Sequence, residues 1–251
     1  MCPEKEASFE RVAHFYEVLA NAEKRLQRES GLLRGVLQQA PGHRVLDLAC
    51  GTGVHALWFA REGAEVTATD LSDGMIAYAR KQRPHARIDY CVSDMRTPPE
   101  GVWDLAVSMG NSLSLLVTED DLSQVFERVS ARLGPGGLFF FQVLNYSRPE
   151  AQRPRHRIEE ATLPEGRLTA IKNLVPVGEF TLLALNFFVE EGGGRFQSNV
   201  DTAVLRHWTK EELIAVAGES ALAPVDFWGG FDGEGFDPSS SADLIALFKK
   251  G

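Results

Sequence analysis

The sequence predicts a doubly wound α/β domain, and three features around residue 50 support this prediction. Val45, Leu46 and Leu48 form a short apolar run, which is typical of a buried parallel strand. Small residues follow at alternate positions: Ala49, Gly51 and Gly53. They predict a tight turn whose backbone a ligand can approach, followed by a helix at residues 54–61. A second apolar strand, residues 66–70, ends in an acidic residue roughly 20 residues beyond the turn.

Size and composition limit the functional classes. A chain of 251 residues, 44% hydrophobic and 24% charged, is long enough for one α/β domain with a sizeable core. No apolar run approaches the ~20 residues that span a bilayer, and the N-terminus shows no export signal. Cys2, Cys50 and Cys91 are scattered, which favours a reducing compartment over a zinc site. We therefore expect a cytoplasmic protein, and the net charge of −9 makes nucleic acid an unsuitable partner.

The rest of the chain predicts helices and strands around this centre. Apolar residues have helical spacing over residues 9–39, and a break is expected at Asn21. Further helix or strand patterns lie at residues 72–81, 87–93, 103–109, 120–133, 138–144, 209–217, 223–228 and 242–249. Residues 168–207 favour β-structure and predict an antiparallel insertion. We expect a single domain, 1–251, made of an N-terminal helical cap (1–40), a cofactor-binding core (41–146), a lid with the antiparallel insertion (147–208) and a C-terminal helix with the last two strands (209–251).

Three acidic residues stand at or near the carboxyl ends of successive predicted strands: Asp47, Asp70 and Asp94. Asp70 is placed to accept both hydroxyls of a ribose. Asp47 lies inside its strand, where a carboxylate favours a ligand with an ammonium and a sulfonium over one with a pyrophosphate. Gly51, Gly53 and Ala56 also satisfy the glycine spacing of a nicotinamide or flavin site, which by itself is weak evidence.

The string D47-L-A-C-G-T-G53 closely resembles the first motif of class I methyltransferases that depend on S-adenosylmethionine, with Ala49 at the family's usual first glycine. The resemblance is strong over residues 44–143. It implies a mostly parallel, seven-stranded Rossmann-like sheet of order 3-2-1-4-5-7-6, with the last pair antiparallel, and S-adenosylmethionine as the cofactor. The resemblance assigns these residues to the cofactor: Arg25, Asp47, Ala49, Gly51, Gly53, Asp70, Leu71, Met75, Asp94, Met95 and Met109.

Several of these residues have a plainer alternative role. Leu71 and Met75 would flank the adenine, although a methionine at helical spacing also fills a core. Asp94 would accept a hydrogen bond from the adenine amino group, with Met95 against the ring, or it would cap a turn. Arg25 would bind the carboxylate of the methionine moiety, or it would lie on a solvated helix face.

Shorter fragments resemble the glycine N-methyltransferase type of small-molecule methyltransferase: residues 22–29, G110-N-S-L and N145-Y146. This likeness assigns Tyr16, Asn111 and Asn145 to the methyl acceptor. Asn111 alternatively bonds its own loop. The basic segment 148–157 is either a lid or carboxylate-binding loop, or a solvated connection.

The sequence therefore predicts methyl transfer to a small molecule, most simply to the nitrogen of an amine or amino acid by in-line displacement. No metal-ligand pattern is present, and His207 is the one histidine considered as a base. The open alternatives are O- or C-methylation, a nicotinamide-dependent oxidoreductase, and a ligand-binding protein without catalytic activity.

Overall fold

The computed structural model describes residues 13–163, 166–191 and 195–251, and its larger sheet has seven strands. These are β1 (Arg44–Leu48), β2 (Glu65–Asp70), β3 (Ile88–Val92), β4 (Trp103–Ser108), β5 (Leu133–Leu144), β10 (Leu222–Trp228) and β11 (Asp243–Lys250). Their order is β3-β2-β1-β4-β5-β11-β10, with the first five parallel. β11 is antiparallel to both β5 and β10. The predicted fold class and strand order are therefore confirmed.

The described helices flank this sheet and precede it. They are α1 (Ala13–Ala20), α2 (Ala22–Gln39), α3 (Val54–Arg61), α4 (Asp73–Gln82), α5 (Glu119–Arg132) and α6 (Lys210–Gly218). The expected break at Asn21 is present, because this residue adopts a left-handed φ of 43° and its side chain accepts a hydrogen bond from the amide of Lys24. Residues 9–12 of the predicted helical segment lie outside the described residues. Within the part of the chain that is described, no helix is long and apolar enough to cross a membrane.

The antiparallel insertion forms a second sheet of four strands. They are β6 (Arg155–Leu163), β7 (Gly166–Val177), β8 (Phe180–Glu191) and β9 (Arg195–Arg206), in the order β6-β7-β8-β9. The prediction missed β6, whose first residues fall in the segment 148–157 that was expected to be a loop. Within the described sheet, β6 is an edge strand that pairs with β7, and its mostly exposed side chains give it little apolar alternation.

The start of β5 is a second difference between prediction and structure. The glycine-rich residues 133–137 were expected to form a turn, but they are the first residues of the strand. Leu133 pairs with Trp103, and the register of the two strands shifts before Leu105 pairs with Leu138. Gly136, with a φ of 70°, lies within this irregular stretch, so the glycines form a bulge in the strand.

The second sheet is held against the helical N-terminal segment and against the loop that follows β4. Phe15 of α1 stacks on Phe187 of β8 with ring centroids 5.6 Å apart. The indole nitrogen of Trp208, two residues after the end of β9, donates hydrogen bonds to the carbonyls of Leu113 and Leu116 at 3.2 and 3.1 Å. As a result, the inner face of the second sheet and the carboxyl ends of the parallel strands form the walls of one cleft.

Candidate active site

The cleft between the two sheets contains about 1420 Å³ of empty space, part of it open to solvent. Ligand sites in open α/β sheets lie in this position, outside the carboxyl ends of the strands. Nine residues that the sequence assigned to cofactor or acceptor line it: Tyr16, Ala49, Gly51, Asp70, Leu71, Met75, Asp94, Met95 and Asn111. Five assigned residues are not among its lining residues: Arg25, Asp47, Gly53, Met109 and Asn145.

The turn after β1 has the left-handed backbone that its small residues predict. Ala49, Gly51 and Gly53 have φ angles of 56°, 56° and 81°. Gly51 lines the cleft, and a Cβ on it would meet no atom within 4 Å. A Cβ on Gly53, in contrast, would lie 2.6 Å from the hydroxyl of Tyr90. The turn therefore exposes its backbone to the cleft at one glycine and packs closely on β3 at the other.

Asp70 binds the turn to the end of β2. One carboxylate oxygen accepts a hydrogen bond from the amide of Gly51 at 2.8 Å, and the other from the amide of Ser72 at 2.9 Å. Burial raises the pKa of Asp70, and these amides act in the opposite direction. Each carboxylate oxygen has a further lone pair, so the side chain can still accept hydrogen bonds from the hydroxyls of a ligand.

Asp47 is the most unusual charged group near the cleft. It lies beneath the turn with 1% of its surface exposed, and Oδ2 has no hydrogen-bond partner in the described part of the chain. The pKa of Asp47 is raised to about 8, chiefly by burial; Arg25 lowers it, Asp70 raises it and the amide of Ala56 lowers it. A buried carboxyl oxygen without a partner fits a ligand that brings a cation or a hydrogen-bond donor.

Arg25 is held by a buried carboxylate that the sequence analysis missed. Its Nε donates to Glu29 at 3.2 Å, and Glu29 also accepts hydrogen bonds from Arg28 at 3.1 Å and from Nε2 of His55 at 2.7 Å. Burial raises the pKa of Glu29, but its partners outweigh burial and bring it to about 2. Burial, followed by Arg25, lowers the pKa of His55, and the hydrogen bond to Glu29 and the charge of Glu29 raise it. The guanidinium of Arg25 points toward Gly110, at the end of β4.

Asp94 is engaged by Arg96, another residue that the sequence analysis missed. Asp94 accepts a hydrogen bond from the Arg96 amide at 2.9 Å and a bidentate ion pair from its guanidinium, with Nη2 2.5 Å from Oδ2. Nη1 of Arg96 also forms an ion pair with Oδ1 of Asp121 at 2.6 Å. Burial raises the pKa of Asp94, but these bonds outweigh it and hold the pKa below its usual value. Asp94 thus fixes the local turn as well as lining the cleft.

The two asparagines assigned to the acceptor have structural partners. The Asn111 amide donates to the Tyr146 hydroxyl at 2.8 Å, and its oxygen accepts from the Leu144 amide at 2.7 Å. Asn145 is buried and donates to the carbonyls of Pro238 and Ser241. Asn111 therefore borders the cleft while holding its loop, and Asn145 faces the loop before β11.

His207 does not line the cleft. Its ring stacks on Tyr146 with centroids 4.2 Å apart, and Nε2 is 2.8 Å from the hydroxyl of Thr181. Burial, followed by Arg206, lowers its pKa. Among the described residues no group of three or more histidine, cysteine, aspartate or glutamate side chains could hold a metal ion.

Lys172, on β7, is a third residue that the sequence analysis did not single out. It lines the cleft from the second sheet, beside Leu183 and Leu185. The alternation of Leu168, Ala170 and Lys172 on β7 is the sequence signal that could have placed it on the inner face.

Comparison with known proteins is consistent with this geometry. A family model described as a methyltransferase domain matches residues 45–137. Glycine N-methyltransferase of Rattus norvegicus is 29% identical over 160 residues, which are 57% of this chain and 55% of that protein. The chain thus spans about half the length of several curated relatives that it matches.

Two further similarities extend over more of the chain. A dTDP-3-amino-3,4,6-trideoxy-alpha-D-glucopyranose N,N-dimethyltransferase of Streptomyces venezuelae is 27% identical over 193 residues, with coverage of 76% of this chain and 80% of that protein. The crystal structure of an S-adenosylmethionine-dependent methyltransferase from Clostridium acetobutylicum matches with a TM-score of 0.79 at 19% identity, and covers 97% of this chain and 99% of that one. This structural match shows a shared fold.

Proposed function

We propose that this chain, whose residues 45–137 match the methyltransferase-domain model, is a methyltransferase that binds S-adenosylmethionine in the cleft and methylates a small molecule. The observation that carries the proposal is the unpaired Oδ2 of Asp47 beneath the turn. A ligand ammonium near this oxygen would supply the partner that the protein itself does not. A pyrophosphate in the same place would meet a carboxyl group, which argues against a dinucleotide.

The residues around the turn fit the other parts of this donor. Asp70 offers carboxylate lone pairs to the ribose hydroxyls, and Leu71, Met75 and Met95 offer apolar surface to the adenine. Asp94 would accept a hydrogen bond from the adenine amino group in place of one of its contacts with Arg96. Arg25, fixed by Glu29, is proposed to bind the carboxylate of the methionine moiety. Gly53 and Met109 are proposed to support this site structurally.

The donor supplies an electrophilic methyl group on a sulfonium, and the protein has to hold a nucleophile in line with it and exclude water. The apolar inner face of the second sheet, with Leu183, Leu185 and Leu205, is suited to exclude water.

Nitrogen is the proposed site of methylation. Two relatives whose names state their activity, the glycine and the amino-sugar enzymes, are N-methyltransferases. An amine in its neutral form attacks without a general base, which agrees with the placement of His207 outside the cleft lining. Tyr16 and Asn111 line the cleft and are proposed to contact the acceptor, whereas Asn145 is proposed to act by fixing the loop before β11.

The test is a transfer assay with a labelled methyl donor and a panel of small amines, amino acids and phenols. The proposal predicts label on an amine or amino acid, with saturation in both substrates, and no transfer by an Asp70→Ala variant. Label on phenols alone would contradict N-methylation and indicate O-methylation instead. Donor binding without transfer to any acceptor class would favour a binding protein without catalytic activity.

A further inference from the structure

Among the residues that the structure describes, the charged groups that line the cleft are paired with one exception. Asp70 accepts hydrogen bonds from two backbone amides, and Arg96 forms ion pairs with Asp94 and Asp121. Lys172 is different, because its ammonium has no hydrogen bond or ion pair with any residue among those the structure describes. A half-buried cation without a partner is costly unless a ligand compensates it.

The position of Lys172 makes it face the ligand space. On β7 it follows Leu168 and Ala170 along the buried face of the second sheet, and it pairs across β8 with Leu185. Leu183 and Leu205 line the cleft beside it. The ammonium therefore stands in an apolar wall, where an ion pair with a ligand is weakened less by water than on an open surface.

The surroundings of Lys172 are positively charged. Burial lowers the pKa of Lys172, and so do Arg157, Arg25 and Arg155, in that order. Arg157 lies directly opposite Lys172 on β6 and binds Glu159, whereas the buried Nε of Arg155 has no hydrogen-bond partner in the described chain. Such a group of cations attracts an anion more strongly than a single lysine would.

From this arrangement we propose that the methyl acceptor carries an anionic group, a carboxylate or a phosphate, and that Lys172 binds this group on the wall formed by the second sheet. This inference rests on the proposed function. The proposed function places the donor at the end of the cleft near Asp70, so the wall that carries Lys172 is on the acceptor side. Arg155 and Arg157 contribute positive potential to the subsite. Lys172 is thus a residue that determines acceptor specificity, and methyl transfer itself needs no proton from it.

The experiment uses four proteins: the wild type, Lys172→Met, which keeps the aliphatic chain, Lys172→Arg, which keeps the charge, and one control. Arg167→Gln is the matched control, because Arg167 is an exposed cation on the same strand and pairs with Glu160 on the protein surface. Each protein is saturated with S-adenosylhomocysteine and melted in acetate, inorganic phosphate or chloride at constant ionic strength. An anion at ten times its Kd should raise the Tm of the wild type by about 3 °C.

We expect the anion-dependent rise in the wild type, in Arg167→Gln and in Lys172→Arg, and its loss in Lys172→Met. A response to phosphate alone identifies a phosphate-bearing acceptor, and a response to acetate alone a carboxylate-bearing one. An equal rise in Lys172→Met, or no rise in the wild type, overturns the proposal.

The affinity for S-adenosylhomocysteine separates this inference from the proposed function. It should be the same in Lys172→Met and the wild type, and a tenfold loss would assign Lys172 to the donor and refute the acceptor subsite. If S-adenosylhomocysteine binds to none of the proteins, the proposed function fails, while the melts repeated without it still report whether Lys172 binds an anion.

Discussion

Replacing Asp47 by asparagine should stabilise the ligand-free protein at neutral pH while weakening donor binding. The Asp47 carboxyl is almost completely buried, and its pKa is raised from the ordinary value of 3.8 to about 8. The folded protein therefore keeps this proton up to about pH 8, whereas the unfolded chain loses it near pH 4. Unfolding releases a proton over this interval, so the free energy of unfolding falls as the pH rises.

The size of the effect follows from the difference between the two pKa values. At pH 7 Asp47 is protonated in the folded protein and ionised in the unfolded chain, which lowers the free energy of unfolding by up to about 4 kcal/mol. Each unit of pKa difference corresponds to about 1.4 kcal/mol. Asparagine removes this cost, but it places an amide group without a partner where Oδ2 of Asp47 lies. This unpaired amide lowers the free energy of unfolding by about 1–3 kcal/mol. Asp47→Asn should therefore be more stable than the wild type by about 1–3 kcal/mol at pH 7, and less stable by a similar amount near pH 4.

The assay is urea unfolding of the ligand-free wild type and Asp47→Asn between pH 4 and pH 8. Asp73→Asn, at an exposed aspartate in the first turn of α4, is the control that should show no crossing. Calorimetric titration of the wild type with S-adenosylhomocysteine at pH 7, in two buffers of different ionisation enthalpy, should show release of about one proton, because the bound ammonium favours the Asp47 carboxylate. Stability curves that run parallel over the whole range, or binding without proton release, would refute this reasoning.

Three further substitutions test the supports of the site. Glu29→Gln should lower the free energy of unfolding by about 2–4 kcal/mol, since it leaves Arg25 without its buried carboxylate, and it should also weaken S-adenosylhomocysteine binding in calorimetry. Ala49→Gly should raise stability by about 0.5–1 kcal/mol in urea unfolding, because an alanine with a φ of 56° is strained and the glycine gain is partly offset in the unfolded chain. Gly53→Ala should lower stability by about 2–4 kcal/mol, since its new Cβ would strike Tyr90 at a φ of 81°.

Each of these substitutions has an outcome that contradicts its premise. Unchanged donor affinity in Glu29→Gln would mean that Arg25 does not bind the donor. A destabilised Ala49→Gly variant would show that the turn gains nothing from a glycine at this position. A Gly53→Ala protein as stable as the wild type would mean that Tyr90 moves away from the turn without loss.

The sequence predicts the centre of this protein well because local signals coincide there. The apolar strand before Asp47, the alternating small residues and the acid at the end of β2 each favour the same turn, and the structure has that turn and the predicted strand order. These features depend on residues close together in the chain and on strand patterns that bury both faces.

The residues that the sequence did not reveal depend on distant contacts. Glu29 lies in a charged helix and is recognisable only through His55, 26 positions away, which becomes its buried partner. The hydrogen-bond partners of Asn145 are similarly hidden, because they lie more than 90 residues later. The edge strand β6 lacks a clear alternation of apolar and polar residues, since in the described sheet it has a neighbouring strand along one edge.

We propose that the cleft binds an adenosine-linked sulfonium rather than a dinucleotide. Calorimetry with S-adenosylhomocysteine and with NADH, on the wild type and on Asp70→Ala, tests it most directly. We expect saturable binding of S-adenosylhomocysteine to the wild type and no heat of binding with NADH. In Asp70→Ala the affinity for S-adenosylhomocysteine should fall at least tenfold, because the charged hydrogen bonds of Asp70 are missing. Tight NADH binding together with no binding of S-adenosylhomocysteine would contradict it.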